Sequence, residues 1–299
     1  MLHPMRAALC ALAVASALLL SACGGDAAPA TRLTPAAEPT AGDSGIVYWT
    51  DHGTALRLDA CLPAERPDAG APSVVLLHGG GFTTGSRDTG GTATVCSLMA
   101  DSGVAAFSVD YRLAPGAVYP TQVQDVQHAL RWLREPAQVR RFEIDPARIG
   151  LLGSSAGAIL AQTVATAGSG PDTAGDRVKA VVSLSGVSDF TPAARRLGTP
   201  SQEVQQIALD YLGCDVITDC PQSAKASAVE QVDRTDPPML LVNGSDEIVP
   251  KQQAEAMQRA LRSSRVPVQL MVRPGSAHGF TLLDGDVRDA VRTFLAKNL

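Results

Sequence analysis

A serine hydroxyl becomes a nucleophile when a base lies within hydrogen-bond reach and a carboxylate orients that base. In this chain of 299 residues, Ser155 has the setting for such chemistry. It is the centre of Gly153-Ser154-Ser155-Ala156-Gly157, which follows the apolar run Arg148 to Leu152 and precedes the helix-like stretch Ala158 to Ala167. Small residues on both sides let the backbone double back between a strand and a helix, and the helix start adds free N–H groups and a positive dipole end beside the hydroxyl. Ser155 is the candidate nucleophile.

The base is expected at His278, in Pro274-Gly275-Ser276-Ala277-His278-Gly279-Phe280, a loop that follows the last strand-like run and so reaches the same sheet edge as Ser155. Of the other histidines, His78 is tied to a glycine turn, His128 lies in a helical stretch, His52 in an early turn and His3 near the start. The carboxylate is expected just after the run Met239 to Val242, in Asn243-Gly244-Ser245-Asp246-Glu247. Asp246 is the preferred residue, since a short side chain can hold the imidazole tautomer from a loop; Glu247 comes next, and Asp284 or Asp189 after it. The structural alternative is an Asn-Gly loop with solvated acids. His78-Gly79-Gly80-Gly81-Phe82 follows the run Ser73 to Leu77, so its glycines come at the C-terminal end of a strand, where parallel sheets bind ligands. The N–H groups of Gly80, Gly81 and Ala156 are the candidate oxyanion donors, each worth about 3 to 4 kcal/mol to the transition state, and Phe82 is the candidate substrate contact. An ordinary glycine-rich turn is the alternative. A phosphate or dinucleotide loop is disfavoured, because no Gly-Lys-Ser or Gly-x-Gly-x-x-Gly stands at a helix start.

These residues need a scaffold that brings strand ends together. The runs Ser73 to Leu77, Ala105 to Val109, Arg148 to Leu152, Val178 to Leu184, Pro238 to Val242 and Val268 to Val272 are nearly continuous in apolar residues, as buried parallel strands are. Helical patterns lie between them at Thr94 to Ser102, Val123 to Leu133, Ala158 to Ala167, Gln252 to Arg262 and Val287 to Ala296. The alternation predicts an α/β protein with a doubly wound, mostly parallel sheet and helices on both faces. Ile46 to Trp49 and Ala55 to Ala60, separated by Asp51-His52-Gly53, predict an antiparallel hairpin at the sheet edge. Residues 187–236 depart from the alternation and are expected to form a small insertion over the C-terminal edge, with a helical fragment from Glu203 to Leu212.

At 45% hydrophobic and 18% charged residues the chain can bury a large core. A net charge of −5 and the lack of a basic stripe argue against a nucleic-acid partner. The first residues combine His3 and Arg6 with the apolar run Ala7 to Leu20, the pattern of a targeting segment. Leu20-Ser21-Ala22-Cys23 resembles the lipobox of bacterial lipoproteins, which implies a signal peptide over residues 1–22, cleavage before Cys23 and lipid attachment to it. Acyl chains at about 0.8 kcal/mol per buried CH₂ would then hold an extracytoplasmic protein on a membrane through its lipid alone. An ordinary secretory signal and an uncleaved anchor are the alternatives. Residues 23–45, rich in Ala, Pro, Thr and Gly, are expected to be a flexible tether, and the folded domain is expected over 46–299. Export makes disulfides reasonable: Cys214 with Cys220, close in sequence, and Cys61 with Cys96 as the remaining pair. Cysteine and histidine spacings match no metal site, and no cofactor is expected.

Taken with Gly153 to Gly157 and His78 to Phe82, the stretch Asp110-Tyr111-Arg112-Leu113-Ala114-Pro115 resembles α/β-hydrolase esterases of the hormone-sensitive-lipase and feruloyl-esterase-like kind. Tyr119-Pro120, Asp125, Arg131-Trp132-Leu133, Asp145-Pro146 and Arg148-Ile149 continue the likeness, which spans about Ile46 to Leu299. The chain order Ser, acid, His is also theirs. The resemblance implies an α/β-hydrolase fold and a serine carboxylesterase acting on small-molecule esters through an acyl-enzyme. It also implies that Asp110, Arg112 and Asp125 form a packing and ion-pair scaffold. An amidase, formamidase or peptidase could use the same residues, and a non-catalytic surface binding protein is a third possibility. Little precedes the first strand that could form a helical cap, so specificity is expected to rest on residues 186–236 and Phe82, which tilts the likeness toward the feruloyl-esterase-like branch.

Overall fold

The computed structural model describes residues 43–299; the expected signal segment, Cys23 and nearly all of the expected tether lie outside the described residues. Eight strands form one sheet: β1 (Ile46–Asp51), β2 (Thr54–Cys61), β3 (Ala71–Leu77), β4 (Ala105–Val109), β5 (Ile144–Ser154), β6 (Val181–Leu184), β7 (Met239–Gly244) and β8 (Val268–Arg273). Their spatial order is β1-β2-β4-β3-β5-β6-β7-β8. β1 pairs antiparallel with β2, and β2 antiparallel with β4, while every pairing from β4 through β8 is parallel. The helices are α1 (Thr92–Asp101), α2 (Thr121–Leu133), α3 (Pro136–Phe142), α4 (Ala156–Thr166), α5 (Gln202–Leu212), α6 (Ser223–Ala226), α7 (Ala228–Gln231), α8 (Gln252–Ser263) and α9 (Gly285–Asn298).

Alternation along each central strand divides the core into two layers. Val75, Leu77, Phe107, Leu151, Val181 and Leu241 pack with α2, α4 and α8 on one face. Val74, Leu76, Ala106, Leu152, Val182 and Leu240 pack with α1 and α9 on the other. Because both faces are covered, polar residues have no favourable side to occupy, and the strands read as continuous apolar runs. The edge strands are exceptions: β8 leaves Val272 exposed at 40%, and β1 leaves Val47 and Trp49 exposed.

Ion pairs and a disulfide hold the first half of the sheet, and a second disulfide closes a loop of the later insertion. Arg87 reaches Asp59 and Asp110, each at 2.9 Å. Arg112 joins Asp51 and the fully buried Asp125, the latter at 2.5 Å. This is the scaffold expected of Asp110, Arg112 and Asp125; removing one member of a buried pair leaves an uncompensated charge, at a cost of about 3–5 kcal/mol. Cys61 at the end of β2 is bonded to Cys96 of α1, and Cys214 to Cys220 beyond α5.

Between β6 and β7 the chain forms α5 to α7 and two short 3₁₀ turns. α5 is well delimited: the Ser201 hydroxyl accepts from the Val204 N–H at 3.2 Å, and Gly213 closes the helix in the left-handed region at φ 65°. Residues of this segment stand beside Ser155 at the C-terminal edge of the sheet.

Candidate active site

Ser155 joins β5 to α4 with φ 54° and ψ −115°, a conformation that a non-glycine residue adopts only when its surroundings enforce it. The enforcing contacts come from both flanking glycines. A Cβ at Gly153 would lie 2.2 Å from the Gly157 carbonyl oxygen, and one at Gly157 would lie 2.1 Å from that of Leu77. The Ser155 N–H donates to the Leu184 carbonyl at 2.8 Å, while its own carbonyl accepts from Ala158 at 2.9 Å and Ile159 at 3.1 Å. The main chain is thereby fixed, with the side chain at the edge of a cleft.

The glycine turn after β3 passes over this serine. A Cβ at Gly79 would lie 3.2 Å from that of Ser155. Gly80 at φ 117° and Gly81 at φ 59° take conformations that suit glycine, and the Gly80 carbonyl accepts from Thr83 at 3.1 Å and Thr84 at 3.0 Å. Among the described residues, none accepts a hydrogen bond from the backbone N–H of Gly80, Gly81 or Ala156. His78, at the head of the turn, is buried and stacked on Tyr111 with ring centroids 4.2 Å apart, and burial lowers its pKa. The Tyr111 hydroxyl donates to the His78 carbonyl at 2.8 Å, so His78 packs the turn in place.

His278 Nδ1 is hydrogen-bonded to Glu247 Oε2. The expectation of Asp246 is therefore corrected: its side chain is exposed and accepts from the Ser245 hydroxyl at 2.6 Å. The reason is the direction of the turn after β7. It packs so tightly on the histidine loop that a Cβ at Gly244 would meet the Ala277 carbonyl oxygen at 2.7 Å, and it sends residue 246 to solvent and residue 247 inward. The Glu247 side chain is fully buried. Its Oε1 accepts from Ser185 Oγ at 2.8 Å, Asn243 Nδ2 at 3.0 Å and the Gly244 N–H at 2.8 Å. Asp284 caps α9 through the Val287 N–H at 3.0 Å and pairs with Arg273, and Asp189 accepts from the Thr191 N–H at 2.8 Å.

Two serines not singled out in the sequence tie the histidine loop to the rest of the site. Ser185, itself at φ 63°, accepts from the Gly279 N–H at 2.9 Å while donating to Glu247. Ser154 accepts from the Phe280 N–H at 3.1 Å. A Cβ at Gly279 would lie 3.9 Å from the Ser155 nitrogen, so the histidine loop rests directly on the serine turn. Among the described residues no hydrogen bond joins the Ser155 hydroxyl to His278; such contacts commonly tighten only with substrate bound.

Phe82 also needs correction as a substrate contact. Its positive φ of 63° turns the ring inward, where it is fully buried and stacked on Tyr211 at 3.9 Å with an edge contact to Tyr111. The cleft at Ser155 is lined instead by Ala156, Ile159, Val187, Phe190, Ile207 and Ile248, among others.

Known proteins similar to this chain are named as esterases or ester hydrolases. Esterase LipC of Mycobacterium tuberculosis is 34% identical over 257 residues, 80% of this chain and 60% of that protein. An ethyl acetate hydrolase of Pseudomonas putida is 29% identical, over 76% of this chain and 72% of its own length. The chain thus spans about 60% of the length of LipC and of the related mycobacterial carboxylic ester hydrolase LipM, at 60% and 61%. Among solved structures, the acetyl ester-xyloside bifunctional hydrolase of Caldicellulosiruptor lactoaceticus superposes with a TM-score of 0.70 at 23% identity, covering 85% of this chain and 96% of that one. Esterase 2 of Thermogutta terrifontis superposes with a TM-score of 0.69 at 23% identity, covering 86% and 94%. These structures share the α/β-hydrolase fold expected from the sequence. The BD-FAE family profile matches residues 58–261, more than half of the chain, and the chain belongs to the BD-FAE family.

Proposed function

We propose that the chain is a serine hydrolase that cleaves carboxylic esters of small molecules by two-step acyl transfer, with Ser155, His278 and Glu247 as its triad. The observation that carries this is the buried Glu247 carboxylate bound to His278 Nδ1, on a loop that rests on the strained Ser155 turn. Glu247 fixes the tautomer with Nε2 free to accept a proton. As Ser155 Oγ attacks the ester carbonyl, Nε2 takes the hydroxyl proton, and the carbonyl oxygen gains negative charge opposite the N–H groups of Gly80, Gly81 and Ala156. The imidazolium then protonates the departing alcohol, leaving the acyl group on Ser155. Water repeats the sequence, its proton passing to His278 and the carboxylic acid being released. Relatives named as esterases and as an ethyl acetate hydrolase support the ester as substrate.

Turnover of 4-nitrophenyl esters against matched anilides tests this directly. Ester hydrolysis that disappears in Ser155→Ala is expected; faster anilide cleavage would favour an amidase, and no turnover of either would favour a binding protein. We also propose that the mature chain is exported and lipidated at Cys23, a reading supported by the two disulfides, which persist outside reducing compartments. A diacylglyceryl mass on an N-terminal Cys23 peptide is expected; an unmodified mature terminus would favour simple secretion.

A further inference from the structure

The cleft at Ser155 holds about 20 Å³, room for roughly one water or methyl group. Adjoining it is a second cavity of about 390 Å³, within the range of about 300–1,000 Å³ typical of small-molecule sites. Val187, Phe190, Val204 and Ala208 line both, so side chains alone form the partition. Val204 and Ala208 are one turn apart on α5, whose Gln205 and Leu209 face the larger space. The rim opposite is Asp215 to Ile217, the loop held closed by Cys214 and Cys220.

Several of the polar groups that line this cavity are already engaged. Gln253 Oε1 accepts from the Ser188 and Asp189 N–H groups, each at 2.9 Å, and Asp189 Oδ1 accepts from Thr191. Arg195 and Asp215 are exposed near the mouth. A sugar or a charged group entering the interior would lose hydration and find few free partners, whereas an apolar chain would only displace water.

We propose that this cavity is an acyl-chain site: the start of the acyl group occupies the cleft at Ser155, and the remainder passes between the Val204 and Ala208 face of α5 and the side chains of Val187 and Phe190 into the larger space. The acyl half fits better than the alcohol because it stays bonded to Ser155 between the two steps, while the alcohol must depart past the part-exposed His278. The substrates are then esters of medium-length apolar acids. This rests on the hydrolase reading above.

The test is kcat/KM for 4-nitrophenyl acetate and octanoate in the wild type, Ala194→Trp, which fills the larger cavity only, and Val204→Ala, which widens the passage. The wild type should cleave octanoate at least as well as acetate. The octanoate-to-acetate ratio should fall at least tenfold in Ala194→Trp and rise at least threefold in Val204→Ala. Ratios within twofold of wild type in both variants would overturn the proposal while leaving ester hydrolysis intact. If the tryptophan variant does not fold, as judged by fluorophosphonate labelling, Val204→Ala decides alone. A wild type that cleaves no ester and takes no label would remove the hydrolase reading and this site with it.

Discussion

On its two oxygens the Glu247 carboxylate takes His278 Nδ1, Ser185 Oγ, Asn243 Nδ2 and the Gly244 N–H. A negative charge held by that many donors would be a fixed counter-charge for the imidazolium of the proposed acyl transfer, with no rearrangement needed when the proton moves. Asp246 has none of these contacts. Glu247→Gln should therefore lower kcat/KM by about 10³-fold or more, because the amide favours the wrong tautomer of His278. Asp246→Asn should stay within about threefold, and parallel kinetics on the two variants separate them. From sequence, Asp246 and Glu247 rank ahead of Asp284 and Asp189, since the turn after the run Met239 to Val242 is expected to supply the acid. Which of the two points inward depends on the packing of Gly244 against the carbonyls of Ala277 and Gly275, a long-range contact that residue types do not disclose. Phe82 was misread for a similar reason: its ring direction follows from a left-handed main chain that a bulky residue rarely adopts.

The proposed triad needs three loops held together, and two serine hydroxyls supply the fastening. Ser185 links the acid to the histidine loop, and Ser154 links that loop to the nucleophile turn. Ser185→Ala would leave the buried Gly279 N–H without its acceptor and Glu247 with one donor fewer, at a cost of about 1–3 kcal/mol in stability. We expect kcat to fall about tenfold with KM within about twofold, read from ester kinetics alongside urea unfolding. Substrate binding would be largely spared, because the loss falls on the aim of His278. Strands and long helices were legible because their apolar periods are strong: Val123, Val126, Leu130 and Leu133 lie on the buried face of α2 as their spacing requires. α3 and the early start of β5 at Ile144 were not, since Pro136 to Phe142 is short and Asp145-Pro146 reads as a turn.

Across the whole molecule, parallel strands bring residues 155, 247 and 278 to one edge although more than a hundred residues separate the first from the last. The two disulfides brace different parts of this frame. Loop-closure entropy predicts a loss of about 4 kcal/mol for Cys61→Ser/Cys96→Ser, whose separation is 35 residues, and about 2 kcal/mol for Cys214→Ser/Cys220→Ser, whose separation is 6, both measured by chemical unfolding. Asp236 contributes in the opposite sense. Burial raises its pKa to about 6, so the folded chain binds more protons than the unfolded one between about pH 4 and 6, and stability falls as pH rises through that window. The stability difference between Asp236→Asn and wild type should shift in favour of the variant by on the order of 1–2 kcal/mol from pH 4.5 to 7.5. A mostly parallel sheet with helices on both faces followed from alternation of patterns, whereas the strand order and the cavity beside the nucleophile did not, because the first depends on long-range pairing and the insertion's short helices lack a long period. The convergence of distant residues on Ser155 is tested most directly by peptide mapping after exposure of the wild-type chain to a fluorophosphonate. A single adduct on the peptide containing Ser155, absent from Ser155→Ala, is the predicted result; folded protein that takes no label, or takes it on another residue, would contradict it.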